Sequence, residues 1–472
     1  SLKDGPVFTT GKSTIDNFDK SILEIRDRTI LPLKAEDAKK IVVEPQDLKS
    51  FAAVRLSTGK WELIEPVKAR SDIWKTEDIV NTLRFGKVHR FIEEDPKDVS
   101  VYGLAPARYT VRIFTDKAGK IGDGILLGKG ISEEVEEQRK KTKKQFFYGQ
   151  RISGGPVFLV PEKIITELPL KPFAIRDKKI LDYDVDHITR LKLELPEEVV
   201  DARRVGKKKW ELDVIKGEEE VKKITPYFRH VDDVLWDIKW AKVIEFADTP
   251  GEDLTKYGLV EGKGKSTVHK VTLWIKKKKE GETETPEVKK SFTLGALLDG
   301  KKAYGRMEGQ KGLFAFKAED VSKILKDGFA LSDRRLVIFE DSDDIARLSA
   351  EFPGGKRVEV ARKDEGWELK VPSNKKPNVR KVIDLLLFLK DLEYVAVAKE
   401  GDPFNFEKFR VRIALKDKKG NKLGPIVFAQ GEKDNRLFVR LKEESRVLMV
   451  EKPNAILSLP PNLEALIEQE EG

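Results

Sequence analysis

The sequence Trp-Glu-Leu occurs three times in the chain, at residues 61–63, 210–212 and 367–369. An aspartate precedes each copy, at Asp27, Asp177 and Asp333, which lie 34, 33 and 34 residues before the tryptophans. The tryptophans are 149 and 157 residues apart. Two independent patterns that keep the same phase indicate a tandem array, and a period of about 150 residues is that of an autonomous domain rather than of a solenoid unit. We therefore predict that each copy has its own core.

The start of the chain also matches this repeat. The sequence Gly-Pro-Val-Phe at 5–8 lies 22 residues before Asp27, and the same four residues at 155–158 lie 22 before Asp177. We therefore predict that residues 1–31 are the tail of a preceding, truncated copy and that the natural protein extends upstream. The predicted repeat domains are then 32–181, 182–338 and 339–472.

The composition is that of a soluble, globular protein. Of its 472 residues 39% are hydrophobic and 37% are charged, which is well above the usual quarter. High Lys and Glu with no Cys and only two Met resembles thermophile usage. The net charge of +9 comes from 91 basic and 82 acidic residues. Because the charges are intermixed, this excess is weak support for nucleic-acid binding.

Hydrophobic periodicity predicts the same secondary structure in each copy. Period-two alternation at 187–195 and 210–214 predicts strands. Helical spacing then predicts one amphipathic helix after each Trp strand, at 76–85, 231–240 and 379–389. Closing helical stretches are predicted at 162–168 and 319–325. The predicted fold class is α+β: three similar tandem domains, each a mainly antiparallel sheet with one or two packed helices, in an elongated array.

Two motifs resemble ligand sites but fail on spacing. The Gly5–Ser13 segment resembles a phosphate-binding loop, but one residue too many separates its glycines, and the repeat alignment predicts a strand over Gly5–Thr10. Alternate carboxylates at Asp182, Asp184 and Asp186 resemble the start of a calcium loop. The sixth position is His187 instead of glycine and the twelfth is not glutamate, so we predict polar residues at a strand start and an acidic junction between domains.

Enzymatic signatures are sparse in this sequence. It has four histidines, none at a recurring position, no cysteine, and neither a Gly-x-Ser-x-Gly nor a His-Glu-x-x-His motif. The absence of cysteine excludes disulfides and thiolate metal sites. We therefore predict a protein that is not an enzyme and has no cofactor or metal. A carboxylate pair for glycoside hydrolysis stays open as an alternative.

Features that differ between copies are the candidates for a specific task. The recurring tryptophans are predicted to anchor the cores. In contrast, Trp236, Trp240 and Trp274 belong to the second copy alone, and we predict that any partner-binding aromatic surface lies there. The first copy carries an 11-residue charged excess, bounded by Glu133 and Lys144. We consider a partner-binding hairpin for it but favour a solvated, mobile loop.

A second polar excursion, at 276–290, is predicted to be a solvated hairpin. Its sequence contains four consecutive lysines followed by Glu-Thr-Glu-Thr. Such charge runs are typical of an exposed segment.

The order of these motifs resembles a known family. A Trp-x-Leu strand, an amphipathic helix, Tyr-Gly-Leu at 102–104 and 257–259, and Leu-Gly at 127–128 and 294–295 are followed by an Arg-Asp segment. This order resembles the bacterial domain of unknown function 4340. The resemblance is best over 61–181, good over 210–336 and partial from Trp367 onward, where 404–406 reads Phe-Asn-Phe.

The resemblance implies a role but no catalytic residues. Such proteins are typically anchored by an N-terminal helix, with the repeats outside the cytoplasm, and accompany gliding-type or ABC transport components. We therefore expect a non-enzymatic, extracytoplasmic accessory or scaffold protein. Its anchor would lie in the missing N-terminal segment, and its partners would be membrane transport components or envelope proteins. A polyanion or nucleic-acid binder and a carbohydrate-active hydrolase remain the alternatives.

Overall fold

The computed structural model describes residues 9–137, 140–217, 220–259, 268–276, 287–364, 366–399, 402, 404–431, 436–441, 446–451 and 455–468. Strands account for 43% of the residues and helices for 23%. The strands form three antiparallel sheets, called sheets 1, 2 and 3 in chain order. The protein is therefore a sheet-rich array of repeats.

Sheet 1 has nine strands in the order β4-β3-β2-β1-β6-β7-β8-β9-β5. The strands are β1 (Lys40–Pro45), β2 (Phe51–Arg55), β3 (Trp61–Glu65), β4 (Ala69–Arg70), β5 (Arg90–Glu93), β6 (Tyr109–Phe114), β7 (Gly122–Glu137), β8 (Lys140–Arg151) and β9 (Val157–Pro161). The helices of this part of the chain are α1 (Lys12–Phe18), α2 (Ile22–Ile25), α3 (Ile73–Phe85), α4 (Glu162–Glu167) and α5 (Pro172–Ile175).

Sheet 2 repeats this topology, in the order β13-β12-β11-β10-β15-β16-β17-β18-β14. The strands are β10 (Ile188–Glu194), β11 (Val199–Gly206), β12 (Lys209–Lys216), β13 (Glu220–Ile224), β14 (Glu245–Ala247), β15 (His269–Lys276), β16 (Glu287–Leu298), β17 (Lys302–Met307) and β18 (Leu313–Lys317). The helices are α6 (Phe228–Trp240), α7 (Ala318–Ile324) and α8 (Gly328–Leu331).

Sheet 3 has eight strands in the order β21-β20-β19-β23-β24-β25-β26-β22. The strands are β19 (Ile345–Glu351), β20 (Arg357–Lys363), β21 (Gly366–Val371), β22 (Ala396–Val397), β23 (Val411–Asp417), β24 (Lys422–Gln430), β25 (Leu437–Leu441) and β26 (Val447–Val450). The helices are α9 (Val379–Lys390) and α10 (Ala455–Ser458). Short 3-10 helices lie at Val99–Tyr102, Val185–His187, Thr255–Tyr257, Ser342–Asp344, Pro353–Gly355, Phe406–Lys408 and Leu463–Leu466.

The chain divides into two compact units. The first comprises residues 1–223 and 231–327, and the second comprises 224–230 and 328–472. Sheet 1 and nearly all of sheet 2 belong to the first unit, and sheet 3 belongs to the second.

The core of the first repeat lies between sheet 1 and α3. Three residues of that helix, Ile79, Val80 and Leu83, are fully buried in one cluster with sheet residues such as Ile41 and Val111. The helix begins where the side chain of Asp72 accepts the backbone N–H of Lys75, as expected of an N-cap. The predicted amphipathic helix is thus confirmed, although it starts earlier than residue 76.

The third repeat has a matching core around α9. Val382, Leu386 and Leu389 are fully buried with residues of sheet 3. Both cores also include residues just after the aspartate positions, Ile30 and Leu31 in one and Leu336 and Val337 in the other. The aspartate segments therefore pack with the sheet that follows them.

The predicted loop between Glu133 and Lys144 is a hairpin instead. Strands β7 and β8 pair in register from Glu133 opposite Lys144 to Glu137 opposite Lys140. At the first two of these positions Glu133 and Glu134 lie opposite Lys144 and Lys143, and opposite charges on facing strands stabilise the pairing. The prediction of a loop for this segment was therefore wrong, because it counted charges without considering their cross-strand arrangement.

The second predicted excursion lies largely outside the described residues, which stop at Lys276 and resume at Glu287. Those two residues are paired across β15 and β16. Among the helices of the described residues, the structure contains no helix with the length and apolarity needed to span a membrane.

Candidate functional site

Each recurring tryptophan lies under an arginine. In the first repeat the guanidinium carbon of Arg55 is 4.7 Å from the ring centre of Trp61, and in the second Arg204 is 4.3 Å from Trp210. Both indole rings are buried, which confirms the predicted core role. Arg55 also donates to two backbone carbonyls and Arg204 to three, so each arginine ties its strand to the segment that precedes the sheet.

A helix carboxylate completes this arrangement in two of the repeats. Trp61 donates its indole N–H to Glu77 at 3.3 Å, and Arg55 donates to the same oxygen at 2.6 Å. In the second repeat Asp232 accepts from Trp210 at 3.2 Å and from Arg204 at 3.0 Å. Burial raises the pKa of Asp232 above its ordinary value, and this effect outweighs the opposing influence of Arg204. These carboxylates fasten the helix to the Trp strand.

The third repeat lacks that carboxylate. The helix residue at the corresponding position is Ile383, and the buried Nε1 of Trp367 has no hydrogen-bond partner within the described part of the chain. Arg362 still stacks at 4.8 Å on the ring, but it pairs instead with Asp343. The repeated tryptophan is thus a structural anchor whose polar partner differs between copies.

The recurring aspartates form one type of turn. Asp27 accepts the backbone N–H of Thr29 at 2.8 Å, Asp177 that of Lys179 at 2.9 Å, and Asp333 that of Arg335 at 3.2 Å. Aspartate suits this position because its short side chain can accept the backbone N–H of the residue two positions later. The three aspartates therefore have a structural role.

The Asp333 turn is embedded in a partly buried charge network. Arg335 donates to both oxygens of Asp333, at 2.9 and 2.7 Å. Glu393 pairs with Arg334 at 2.9 Å and lies 2.8 Å from Nε2 of His230, whose Nδ1 is 3.1 Å from the carbonyl of Ser332. Burial would raise the pKa of Asp333, but the hydrogen bonds and charge of Arg335 outweigh it and leave that pKa below its ordinary value.

The Tyr-Gly-Leu sequences are turns that cover the sheet. Gly103 and Gly258 both have a φ of 69°, which favours glycine. A Cβ on Gly128 would lie 2.3 Å from the carbonyl oxygen of Tyr102, and one on Gly295 would lie 2.4 Å from that of Gly258. The second residue of the Leu-Gly motif is therefore glycine, because the Tyr-Gly-Leu turn packs directly against it.

The aspartate clusters at strand starts are caps. Asp184 accepts from the backbone of Asp186 at 3.2 Å, and Asp341 from Asp343 at 3.0 Å, each at a 3-10 helix just before a strand. Within the described ranges no group of three or more His, Asp or Glu side chains is arranged to hold a metal ion. In the loop-like Gly5–Ser13 segment, residues 5–8 lie outside the described residues, and α1 begins at Lys12.

The three tryptophans private to the second repeat do not form one surface. Trp236 and Trp240 are exposed on α6, opposite its buried residues. Trp274 is half-buried on β15, where it faces Arg190 across the strand pair and stacks on it at 4.4 Å. Because Leu273 lies in the core, alternation places Trp274 on the opposite face of the sheet. Only Trp236 and Trp240 share a surface.

Lysines surround these two exposed rings. The Nζ of Lys239 is 4.8 Å from the ring centre of Trp236 and 5.8 Å from that of Trp240, and the Nζ of Lys179 is 4.4 Å from Trp240. We call Lys179, Trp236, Lys239 and Trp240 the tryptophan patch. Glu133 pairs with Arg90 at the base of the long hairpin and lies opposite Lys144.

Sequence reasoning missed an arginine face on sheet 3. Val411 and Val439 are in the core, so alternation places Arg410, Arg412 and Arg440 on the other face. The Nε atoms of Arg410 and Arg440 are buried without a hydrogen-bond partner among the described residues. Burial lowers the pKa of Arg410. The period-two spacing of the arginines at 410 and 412 was the signal available in the sequence.

The fold defines a class of protein, namely a tandem array of one sheet-and-helix module whose recurring residues are structural. Three stretches, residues 2–106, 61–262 and 228–408, match the family described as Domain of unknown function (DUF4340). The chain belongs to the DUF4340 family, as the order of its motifs indicated. No curated protein matches the chain.

Proposed function

We propose that the protein is a non-enzymatic scaffold, built of tandem α+β modules, that binds another protein through the tryptophan patch. Its setting in this proposal is extracytoplasmic, as an accessory of a bacterial ABC-type or gliding-type transport system. The observation that carries the proposal is the exposure of Trp236 and Trp240 on one helix face. Exposed aromatic pairs are typical anchors of protein interfaces.

Comparison between the repeats supports this choice of surface. Counted from the buried helix residues, Trp236 corresponds to Asn81 and Leu387, and Trp240 corresponds to Phe85 and Asp391. The tryptophan pair is therefore specific to the second repeat, whereas the Arg-Trp pairs recur. Flanking lysines add cation–π contacts and favour a partner with acidic residues at its rim.

The experiment is recovery of the full-length protein from membranes after cross-linking, with identification of the transport subunits attached to it. We expect Trp236→Ala combined with Trp240→Ala to reduce that recovery at least about tenfold, since loss of two interface anchors is worth several kcal/mol. Trp74→Ala is the matched control, because Trp74 is an exposed tryptophan on the corresponding helix of the first repeat. Equal recovery of transport subunits with the unmodified protein, the double variant and the control would refute the proposal.

A second candidate function, binding of an anionic envelope polymer, is favoured by the arginine face of sheet 3. Arg412 pairs there with Glu351 at 3.1 Å, and Arg440 stacks 4.4 Å from the ring centre of Phe406. Guanidinium groups held by aromatic rings suit phosphate or carboxylate ligands.

The probe for this candidate is a polyphosphate of defined length, titrated at several salt concentrations. Binding that weakens steeply with salt and is lost in Arg410→Gln with Arg440→Gln would support it. Arg357→Gln is the control, because that arginine is also on sheet 3 but is already paired with Glu359 at 2.7 Å. If Arg357→Gln weakened binding as much as the double variant does, the arginine face would not be a specific site.

A further inference from the structure

The two N-terminal helices expose an apolar face. Phe18 and Ile25 are 85% and 74% exposed, and Ile15 and Ile22 are also exposed. All four lie on α1 and α2, within fourteen residues of one another by their numbers. A cluster of exposed large apolar side chains marks a surface that another element covers.

The rest of the chain contains three equivalents of this segment. Each has two apolar residues seven positions apart, as Phe18 and Ile25 are, and each lies at the end of a repeat. The equivalents are Leu168 and Ile175, Ile324 and Leu331, and Leu459 and Leu466. All six side chains are at most 5% exposed. The same pattern is therefore buried three times and exposed once.

In the first repeat the structure shows what buries it. Leu168 and Ile175 belong to the same core cluster as Ile79 and Leu83 of α3. The carbonyl of Ile175 accepts the backbone N–H of Asp72, the N-cap of that helix, at 2.7 Å. The segment thus closes the core and satisfies the backbone at the helix start.

The same backbone bonds recur at the other two copies. Tyr227 donates to the carbonyl of Leu331 at 3.1 Å, and Asn378 donates to that of Leu466 at 2.9 Å. A second bond follows in each case: Asp177 donates to Arg70, Asp333 to Thr225 and Glu468 to Lys376, all at 2.9 Å. We call such a unit, with its two apolar anchors and two backbone bonds, a closing segment.

Each of the long helices α3, α6 and α9 thus has a closing segment bonded to its start. The segment formed by α1 and α2 has the anchor spacing of a closing segment but not its two backbone bonds, and each long helix in the described part of the chain already has a closing segment of its own. We propose that it docks against the core helix of another domain of this same fold. Its residues 5–8 also have the same sequence as 155–158, which lead into α4. This inference does not depend on the proposed function.

A chimera tests the proposal directly. Residues 26–154 of this chain are placed immediately before Gly5, so that the helices α1 and α2 close the added sheet as α4 and α5 close sheet 1. Because Thr9 and Thr10 occupy the positions of Leu159 and Val160, a second version carries Thr9→Leu and Thr10→Val. The chain has no cysteine, so single thiols report on burial.

We expect the thiols of Phe18→Cys and Ile25→Cys to react freely with a maleimide in the original chain. In the chimera their labelling should slow by about 100-fold or more, because labelling then requires local opening of a core. Ser13→Cys is the matched control, since its equivalent Lys163 is exposed, and it should react equally in both proteins.

A second chimera makes failure informative. Residues 26–175, which bring their own closing segment, are placed before Arg26. If this added domain folds, as judged by amide exchange, but neither version of the first chimera folds, then α1 and α2 cannot close the fold and the proposal is wrong. It is equally wrong if the added domain folds while Phe18→Cys still reacts as fast as Ser13→Cys.

Discussion

Trp210 donates its indole N–H to the carboxylate of Asp232 at 3.2 Å, and this bond joins a strand to the helix that covers it. The equivalent tryptophan of the third repeat, Trp367, is buried to a similar degree without such a partner within the described residues. Comparing Trp210 with Trp367 in the same chain therefore isolates what this hydrogen bond contributes to the stability of a repeat core.

We expect Trp210→Phe to lower local stability by about 1 kcal/mol more than Trp367→Phe does. Both changes remove similar apolar volume, but only the first removes a hydrogen bond and leaves the acceptor, Asp232, with less support. The measurement is amide hydrogen exchange on β11 and β12 and on β20 and β21, because exchange resolves each repeat separately. Equal losses would mean that the indole bond contributes nothing net.

We expect Gly128→Ala and Gly295→Ala to destabilise their repeats by about 2 kcal/mol each. The new methyl group would overlap a backbone carbonyl, which cannot move aside without disturbing the turn. Gly206→Ala is the control, since its nearest neighbour would be Lys209 Cβ at 3.4 Å. Thermal unfolding followed by tryptophan fluorescence would detect the difference, and an effect no larger than that of the control would contradict the packing described.

Acid should weaken the second unit partly through Asp333. Its pKa in the folded protein is below the ordinary 3.8, so the ionised form is favoured by folding. The resulting stability is fully present above about pH 4 and is lost as the pH falls through the lower, folded-state value. We expect the protection factors of amides 331–337, which correct for the pH dependence of the exchange chemistry itself, to fall below about pH 4.

Asp333→Asn should reduce that acid dependence and cost about 1–2 kcal/mol at neutral pH, because the partly buried Arg335 would lose its counter-charge. Asp384→Asn, on the exposed face of α9, serves as the control and should change neither quantity. If Asp333→Asn kept the same acid profile as the unmodified protein, another group would have to be responsible.

Charge reversal should loosen the long hairpin without affecting the core. Glu134 lies opposite Lys143, so Glu134→Lys places two lysines face to face. We expect amide exchange between residues 131 and 145 to rise about twofold to fivefold, as one cross-strand charge pair is worth up to about 1 kcal/mol. Adding Lys143→Glu should restore the original rate. A double variant as fast as the single one would show that the charge pairing is unimportant.

Much of the fold could be predicted because its signals are local. Helices were expected at 76–85, 231–240 and 379–389 and lie at Ile73–Phe85, Phe228–Trp240 and Val379–Lys390. Amphipathic spacing shows the helix interior but not its first turn, where a polar cap such as Asp72 sets the boundary. The short helices α5 and α8 were missed because four residues carry too little periodicity.

The candidate surface could be predicted only in part, because strand alternation and register decide which side chains share a face. Trp236 and Trp240 are four residues apart on one helix, so their common surface follows from helical geometry. Trp274 was grouped with them as another tryptophan of the same copy, but its partner in the sheet is Arg190, on the far side from α6. Arg412 and Arg440 come into line, on either side of Val427, only through the pairing of β23, β24 and β25.

The sequence by itself determined the repeat, its phase, the helix positions and the buried tryptophans, because each depends on residue type and spacing within a short stretch. Only the tertiary structure decided which acid meets which tryptophan, that the charged insertion in the first repeat is a paired hairpin, and that Phe18 is exposed where Leu168 is buried. These outcomes depend on contacts between residues far apart in the chain, and a side chain becomes buried only when a second element lies against it.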